Sequence, residues 1–214
     1  MTNAQIQELI RAVELADSPP RLVAAVQALA AAKEPDGITS LIAVLGYNNP
    51  TAAVVAVEGL IAIGEAAVVP LIEQLDDYNY GARAYAIRAL AAIAHPRALD
   101  LLISAAATDF APSVRRAAAK GLGTLHWDLL DVKERNAAQA RAATTLLSIS
   151  QDPDWSIRYA AVVGLQALAA RKPDLQEQIE AQLKQIAQTD SDIAVRARVA
   201  RAQQLLTPYI KTGQ

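Results

Sequence analysis

The sequence contains no cysteine, only two histidines and few aromatic residues. The lack of cysteine excludes disulfides, cysteine-ligated zinc, iron–sulfur clusters and a cysteine nucleophile from this chain. Aromatic residues make up 4% of the chain, so the hydrophobic 53% is mainly Ala, Leu, Val and Ile. Alanine is the strongest helix former, and small side chains let helices approach closely. We therefore predict an all-α fold.

The chain also lacks an excess of charge of either sign and a long apolar run. The net charge is −2 with a pI of about 5.7, so no basic field favours a nucleic-acid partner. The N-terminus carries Glu8 and Glu14 and lacks the apolar block of a signal peptide. We expect no membrane span. A chain without cysteine is compatible with a reducing environment, and we predict a cytoplasmic protein.

Motifs for familiar enzyme chemistry are missing too. The sequence has no glycine-rich phosphate loop, no His pair at metal-ligand spacing and no Ser-His-Asp arrangement. His95 precedes Pro96 and is expected to start a helix, which leaves His126 as a lone imidazole. We expect no metal site and no cofactor of the chain's own. By this reasoning alone the chain is a binding scaffold.

What the chain does contain is an internal repeat. In four stretches an Asp is followed six residues later by an Arg. We call these pairs the Asp/Arg ladder: Asp77 and Arg83, Asp109 and Arg115, Asp152 and Arg158, Asp190 and Arg196. A Leu follows the Arg by seven residues in the first three stretches, and an earlier stretch matches with Ala53 and Leu60. The spacing, roughly 30–43 residues, is typical of paired-helix repeats.

The repeat predicts a right-handed α-α superhelix, a HEAT-like solenoid of five or six helix pairs in one domain over residues 1–214. Residues 126–140 are expected to lengthen the link between the fourth and fifth repeats by about ten residues. The approximate repeat boundaries are 1–36, 37–64, 65–94, 95–125, 126–170 and 171–214.

The ladder is interpreted as structural. Each Asp lies in a turn, where its short side chain can accept backbone N–H bonds and cap the second helix. Each Arg can reach the neighbouring repeat. An anion-binding role for the ladder arginines is the less favoured alternative, because carboxylates would already occupy them.

Aromatic and charged residues outside the ladder are the candidate binding residues. Three tyrosines surround one turn, and Phe110 and Trp155 occupy equivalent positions in later repeats. Equivalent positions align along one edge of a solenoid, where aromatic faces and cations would suit a flat, conjugated carboxylate ligand or a protein partner. Alternatively, these aromatics fill gaps between repeats. The candidates are Tyr78, Asn79, Tyr80, Tyr85, Arg88, Phe110, Arg116, His126, Trp127 and Trp155.

Residues 77–127, with the segments YNYGARA and TDFAPSVRRAAAKGLG, closely resemble the F subunit of the E/F-type phycobilin lyases of cyanobacteria. The resemblance implies a heterodimer with an E-type subunit that attaches phycocyanobilin to a cysteine of the phycocyanin α subunit. The bond is a thioether to the ethylidene carbon of bilin ring A, and the reverse removal or transfer is also implied. Phycocyanobilin is then a substrate, and the acceptor supplies the thiol.

The resemblance also implies where the chain works and what it does not do. A related branch that isomerises the bilin carries a His-Cys motif, so a chain without cysteine is expected to attach phycocyanobilin unchanged, in the cyanobacterial cytosol. The tyrosines would lie against the bilin or the E subunit, and Arg88 or Arg116 near the bilin propionates. The alternative function is a non-catalytic HEAT-repeat scaffold or chaperone in phycobilisome assembly or degradation.

Overall fold

The computed structural model describes residues 1–74 and 80–206, with the backbone alone at Tyr80. Over these ranges the chain is helical and contains no strand, which confirms the all-α helix-pair repeat class. The helices are α1 (Asn3–Glu14), α2 (Pro19–Ala32), α3 (Ile38–Leu45), α4 (Pro50–Ile63), α5 (Val68–Glu73), α6 (Tyr80–Ile93), α7 (Leu99–Thr108), α8 (Pro112–Leu122), α9 (Val132–Ile149), α10 (Trp155–Ala169), α11 (Gln176–Thr189) and α12 (Ile193–Leu206).

Odd-numbered and even-numbered helices alternate as first and second helices of each pair. Short 3-10 turns precede α3, α5, α7, α9 and α11. Proline occupies the first turn of α2, α4 and α8, where its missing N–H would have no helical partner in any case. The chain forms two compact units, Met1–Ala98 and Leu99–Gln214, which are described separately. The prediction of a single domain stays a prediction.

In the first unit the second helices α2, α4 and α6 pack in succession, and α3 packs against both α4 and α6. The Leu that the repeat predicts on each second helix is fully buried at Leu29, Leu60 and Leu90. One stretch, Pro50–Glu73, is long and apolar enough to cross a membrane by length and composition. It comprises α4, a 3-10 turn that starts at Gly64, and α5, and α4 lies between α2 and α6 in the core.

In the second unit α10 packs between α8 and α12. The approach of α8 to α10 is close enough to require glycine. A Cβ atom on Gly123 would lie 2.2 Å from the carbonyl oxygen of Gly164, and a Cβ on Gly164 would lie 2.4 Å from that of Ala119. The small residues of the second helices therefore form the close seam that the sequence indicates.

The lengthened link before the fifth repeat is mostly helical. A 3-10 turn, Trp127–Leu129, follows α8, and α9 then begins at Val132. Asp131 caps this helix by accepting a hydrogen bond from the N–H of Glu134 at 2.8 Å. Most of the extra residues thus extend α9 to 18 residues instead of forming a loop.

Candidate functional site

The ladder pairs of the second unit join neighbouring repeats. Arg115 donates from Nη2 to Oδ2 of Asp152 at 2.6 Å. Arg158 donates from Nε and Nη2 to the two carboxylate oxygens of Asp190, both at 2.8 Å. Each guanidinium also donates to a backbone carbonyl that precedes its own helix, at Ala106 for Arg115 and at Asp152 for Arg158. Each arginine thereby ties its own turn to the aspartate of the next repeat.

Electrostatics in the ladder favour the charged forms. The hydrogen bonds from Arg158 hold the pKa of Asp190 below its ordinary value, against the opposing effect of burial. The same contact raises the pKa of Arg158. Asp77 lies outside the described residues, and Arg83 is half-buried on α6. The described carboxylates already occupy the guanidinium groups of Arg115 and Arg158, which makes these two arginines poor candidates for binding an external anion.

The ladder aspartates brace the turns, but the prediction that they cap the second helix is wrong for α10. Asp152 accepts from the N–H of Asp154, and Asp154 is the residue that caps α10, by accepting from the N–H of Ser156 at 2.8 Å. The same arrangement recurs with Asp190 and Asp192. The ladder Asp lies two residues before the residue that caps the helix. Each of these turns therefore contains one carboxylate that accepts from the turn backbone and a second that accepts from the first turn of the helix.

Two predicted aromatics are exposed at the turns of the second unit. Phe110, between α7 and α8, is 66% exposed, and Trp155, the first residue of α10, is 48% exposed. Neither side chain fills a gap in the core. Arg116 of α8 donates to the hydroxyl of Ser156, next to Trp155, at 3.1 Å. We call Arg116, Trp155 and Ser156 the α8/α10 edge, where a cation and an exposed aromatic come together.

The predicted cluster on α6 is described in part. The guanidinium carbon of Arg88 lies 5.8 Å from the ring centroid of Tyr85, within cation–π range. Arg88 is exposed. Tyr78 and Asn79 lie outside the described residues, and only the backbone of Tyr80 is described. The Tyr85–Arg88 pair is therefore the described part of this cluster.

His126 and Trp127 occupy a different environment from the rest. His126 is exposed, whereas Trp127 is buried and does not present its ring at a surface rim. Both line a cleft of about 490 Å³ together with Asp128, Arg135, Gln139 and Arg171. Sequence reasoning missed these last four residues. The spacing of Arg135 and Gln139, four residues apart on α9, could have placed both on one helix face.

Charge is unevenly distributed in the second unit. The second helices α8, α10 and α12 contain Lys and Arg but neither Asp nor Glu, although the whole chain has a net charge of −2. Arg198 of α12 donates to the side-chain oxygen of Gln166 on α10 at 2.6 Å, and burial lowers the pKa of Arg198. Within their helical bounds these helices form an acid-free layer. Its cations favour anionic ligands where aspartates of the turns do not already pair with them, as they do with Arg115 and Arg158.

Comparison with known proteins gives a consistent result. A family model described as HEAT repeats matches residues 68–166. The chain is 61% identical over 203 residues to the phycocyanobilin lyase subunit beta of Nostoc sp. PCC 7120, which covers 95% of this chain and 99% of that protein. It is 48% identical over 195 residues to the phycocyanin alpha phycocyanobilin lyase CpcF of Synechocystis sp. PCC 6803, covering 91% of each chain.

A solved structure extends this similarity. It is the complex of CpcE and CpcF of phycocyanin lyase from Nostoc sp. PCC 7120, in which the matching chain is 61% identical. The superposition has a TM-score of 0.77 and covers 79% of this chain and 99% of that chain. That relative therefore shares both the fold and the sequence, and it assembles with a second protein.

Proposed function

The chain belongs to the phycocyanobilin lyase beta-subunit family, and from that premise we propose that it is one subunit of a heterodimeric enzyme that attaches phycocyanobilin to the phycocyanin α subunit. The partner is an E-type subunit, since the similar solved chain is in complex with CpcE. The enzyme is a phycocyanobilin lyase that is active with both subunits present. It works in the cyanobacterial cytosol, where phycobilisomes are assembled.

The reaction is an addition. The acceptor thiol adds across the ethylidene double bond of bilin ring A, so that a sulfur–carbon bond forms and the thiol proton ends on the bilin. Nothing leaves, and the reverse of the same step accounts for removal or transfer of the bilin. This chain has no cysteine and supplies no nucleophile. Its task is to hold the flexible tetrapyrrole so that the thiol meets the correct carbon, because fixed geometry replaces an unfavourable bimolecular encounter.

The acid-free layer of α8, α10 and α12 is the observation that carries the assignment of the binding surface. A tetrapyrrole offers a flat conjugated system and two carboxylates, which suit aromatic faces and cations. At the α8/α10 edge, Trp155 supplies an exposed aromatic face and Arg116 a cation beside it. The Tyr85–Arg88 pair offers the same chemistry in the first unit.

Co-expression tests this assignment. The chain, its E-type partner, the apo-α subunit and a bilin source are expressed together, and acid-stable colour on the α subunit measures covalent attachment. We expect Trp155→Ser or Arg116→Gln to lower the initial rate of attachment about 5- to 10-fold, because one such contact contributes roughly 1 kcal/mol. Trp155 is 48% exposed and Arg116 is half-buried, so the free energy of unfolding in urea should fall by no more than about 1 kcal/mol in either variant.

Tyr47→Ser is the matched control, because Tyr47 is an exposed aromatic at the turn between α3 and α4 and is not among the candidate binding residues. Attachment at the wild-type rate in both test variants would remove the α8/α10 edge from the binding surface. If the wild-type chain and its E-type partner bind the α subunit without forming a covalent product, the result would instead support the non-catalytic scaffold or chaperone.

A further inference from the structure

The cleft beside Trp127 has the composition of a ligand site. It lies in the second unit and is lined by the 3-10 turn that contains Trp127, by Arg135 and Gln139 of α9, and by Arg171, which follows α10. Its volume is about 490 Å³. Two arginines, one histidine and one aspartate line it, so it carries a net positive charge even when His126 is neutral.

The two arginines are anchored by neutral groups. Arg171 donates from Nη1 to the carbonyl oxygens of Thr124 and Leu125, at 2.7 and 3.0 Å. Arg135 donates from Nη2 to the carbonyl oxygen of Leu130 at 3.0 Å. Within residues 1–74 and 80–206, neither guanidinium forms an ion pair. Both are therefore positioned without having their charge neutralised, in contrast to the ladder arginines.

Three polar atoms of the cleft residues are buried without a hydrogen bond to any described residue. They are Nε1 of Trp127, Nε of Arg135 and Oε1 of Gln139. Trp127 is 4% exposed and Gln139 is 2% exposed, so water reaches little of either side chain. A buried polar group without a partner costs free energy. Two of the three atoms are N–H donors, and the amide of Gln139 presents a donor as well if it is turned by 180°.

We propose that this cleft is a carboxylate-binding subsite that holds one propionate of the tetrapyrrole substrate, an assignment that rests on the proposed function. A carboxylate accepts hydrogen bonds from several donors at once, and its charge is complementary to two guanidinium groups. The cleft lies beyond the C-terminal ends of α8 and α10, whereas the α8/α10 edge lies at their N-terminal ends. The tetrapyrrole must therefore extend along α10, a length of roughly 22 Å, for one propionate to occupy the cleft while its ring system contacts that edge. Arg135, Gln139 and Arg171 are then binding residues.

The test compares phycocyanobilin with its dimethyl ester, in which both propionates are neutral. Each is titrated into the purified complex of the chain with its E-type partner, and the bilin absorbance gives the Kd. We expect the wild-type complex to bind the diacid at least about 10-fold more tightly than the ester. Arg135→Gln should weaken the diacid about 10-fold and leave the ester unchanged, so the preference for the diacid disappears.

Arg141→Gln is the matched control. Arg141 lies on the same helix, is exposed and pairs with Asp100 on the surface. This variant should keep the wild-type preference for the diacid. A second test variant, Gln139→Glu, places a carboxylate inside the cleft beside Arg135. It should compete with the propionate and weaken the diacid about 10-fold. Thermal unfolding of this variant is measured alongside, because a charge at a position that is 2% exposed costs stability even when it is paired.

The ratio of the Kd for the dimethyl ester to the Kd for the diacid decides the outcome. If it stays at the wild-type value in both Arg135→Gln and Gln139→Glu, the proposal is overturned. It is also overturned if the ratio stays constant while affinity for the α subunit falls, because the carboxylate would then belong to a protein side chain. Covalent attachment by the wild-type complex is measured in parallel, so a failure of the proposed function is recognised independently of the cleft.

Discussion

Replacing Arg158 by methionine tests whether the ladder holds neighbouring repeats together. The substitution keeps most of the aliphatic side chain and removes both hydrogen bonds to Asp190, together with those to the carbonyl oxygens of Asp152 and Pro153. The Arg158 side chain is 14% exposed and that of Asp190 is 4% exposed, so solvent cannot replace the lost partner well. Asp190 retains the N–H of Asp192.

The decrease in unfolding free energy should be large for the loss of a single ion pair. Removing one partner of a buried pair costs roughly 3–5 kcal/mol, and partial exposure of Arg158 places the expectation at about 3 kcal/mol of unfolding free energy. For a chain of this size that corresponds to a melting temperature lower by roughly 6–12 °C. The double-mutant cycle of Arg158→Met and Asp190→Asn should give a coupling energy of about 2 kcal/mol.

Urea unfolding followed by circular dichroism measures all four proteins of the cycle. The cycle of Arg141→Met and Asp100→Asn is the control, because this pair also joins an arginine to a carboxylate in the second unit, yet the two side chains are 56% and 80% exposed. This surface pair should contribute no more than about 0.5 kcal/mol. A coupling energy for Arg158 and Asp190 that equals the control would refute the structural interpretation of the ladder.

Two further perturbations follow from the second unit. Because Arg158 lowers the pKa of Asp190 in the folded chain, the stabilisation is fully present above the unfolded pKa and is lost as pH falls through the folded pKa. The stability gap between wild type and Asp190→Asn should therefore be constant from pH 7 to about pH 5 and shrink below about pH 4 in urea titrations; a gap that widens in acid contradicts this sign. Gly164→Ala should cost more than about 2 kcal/mol, since its Cβ would lie 2.4 Å from the carbonyl oxygen of Ala119, and a wild-type melting temperature would show that α8 and α10 separate easily.

Much of the fold could be predicted from the sequence because the same spacing of Asp, Arg and Leu recurs in successive repeats. The Leu that follows each of the first three ladder arginines by seven residues is on the second helix and fully buried, at Leu90, Leu122 and Leu165. Helical periodicity alone decides this, because one face of each second helix must contact its neighbours. The ladder pairs, too, lie at positions that the repeat spacing makes equivalent.

The candidate site was predictable only in part, for reasons visible in single residues. Trp155 is exposed at the start of α10, as expected for a binding aromatic, whereas Trp127 is buried although both are the same residue type. Local sequence does not distinguish them. Their difference depends on what packs over the 3-10 turn after α8, and that packing involves residues far away in the chain.

The sequence by itself determined that this chain is helical, repetitive, without cysteine and similar to bilin lyase subunits, because composition and spacing are properties of the chain alone. The tertiary structure decided which arginines are neutralised. Arg158 meets a carboxylate in the next repeat, whereas Arg135 and Arg171 meet backbone carbonyls around one cleft. For Arg158 and Arg171 the neighbours that decide whether the charge is neutralised lie 32 and 47 residues away, and only folding brings them together.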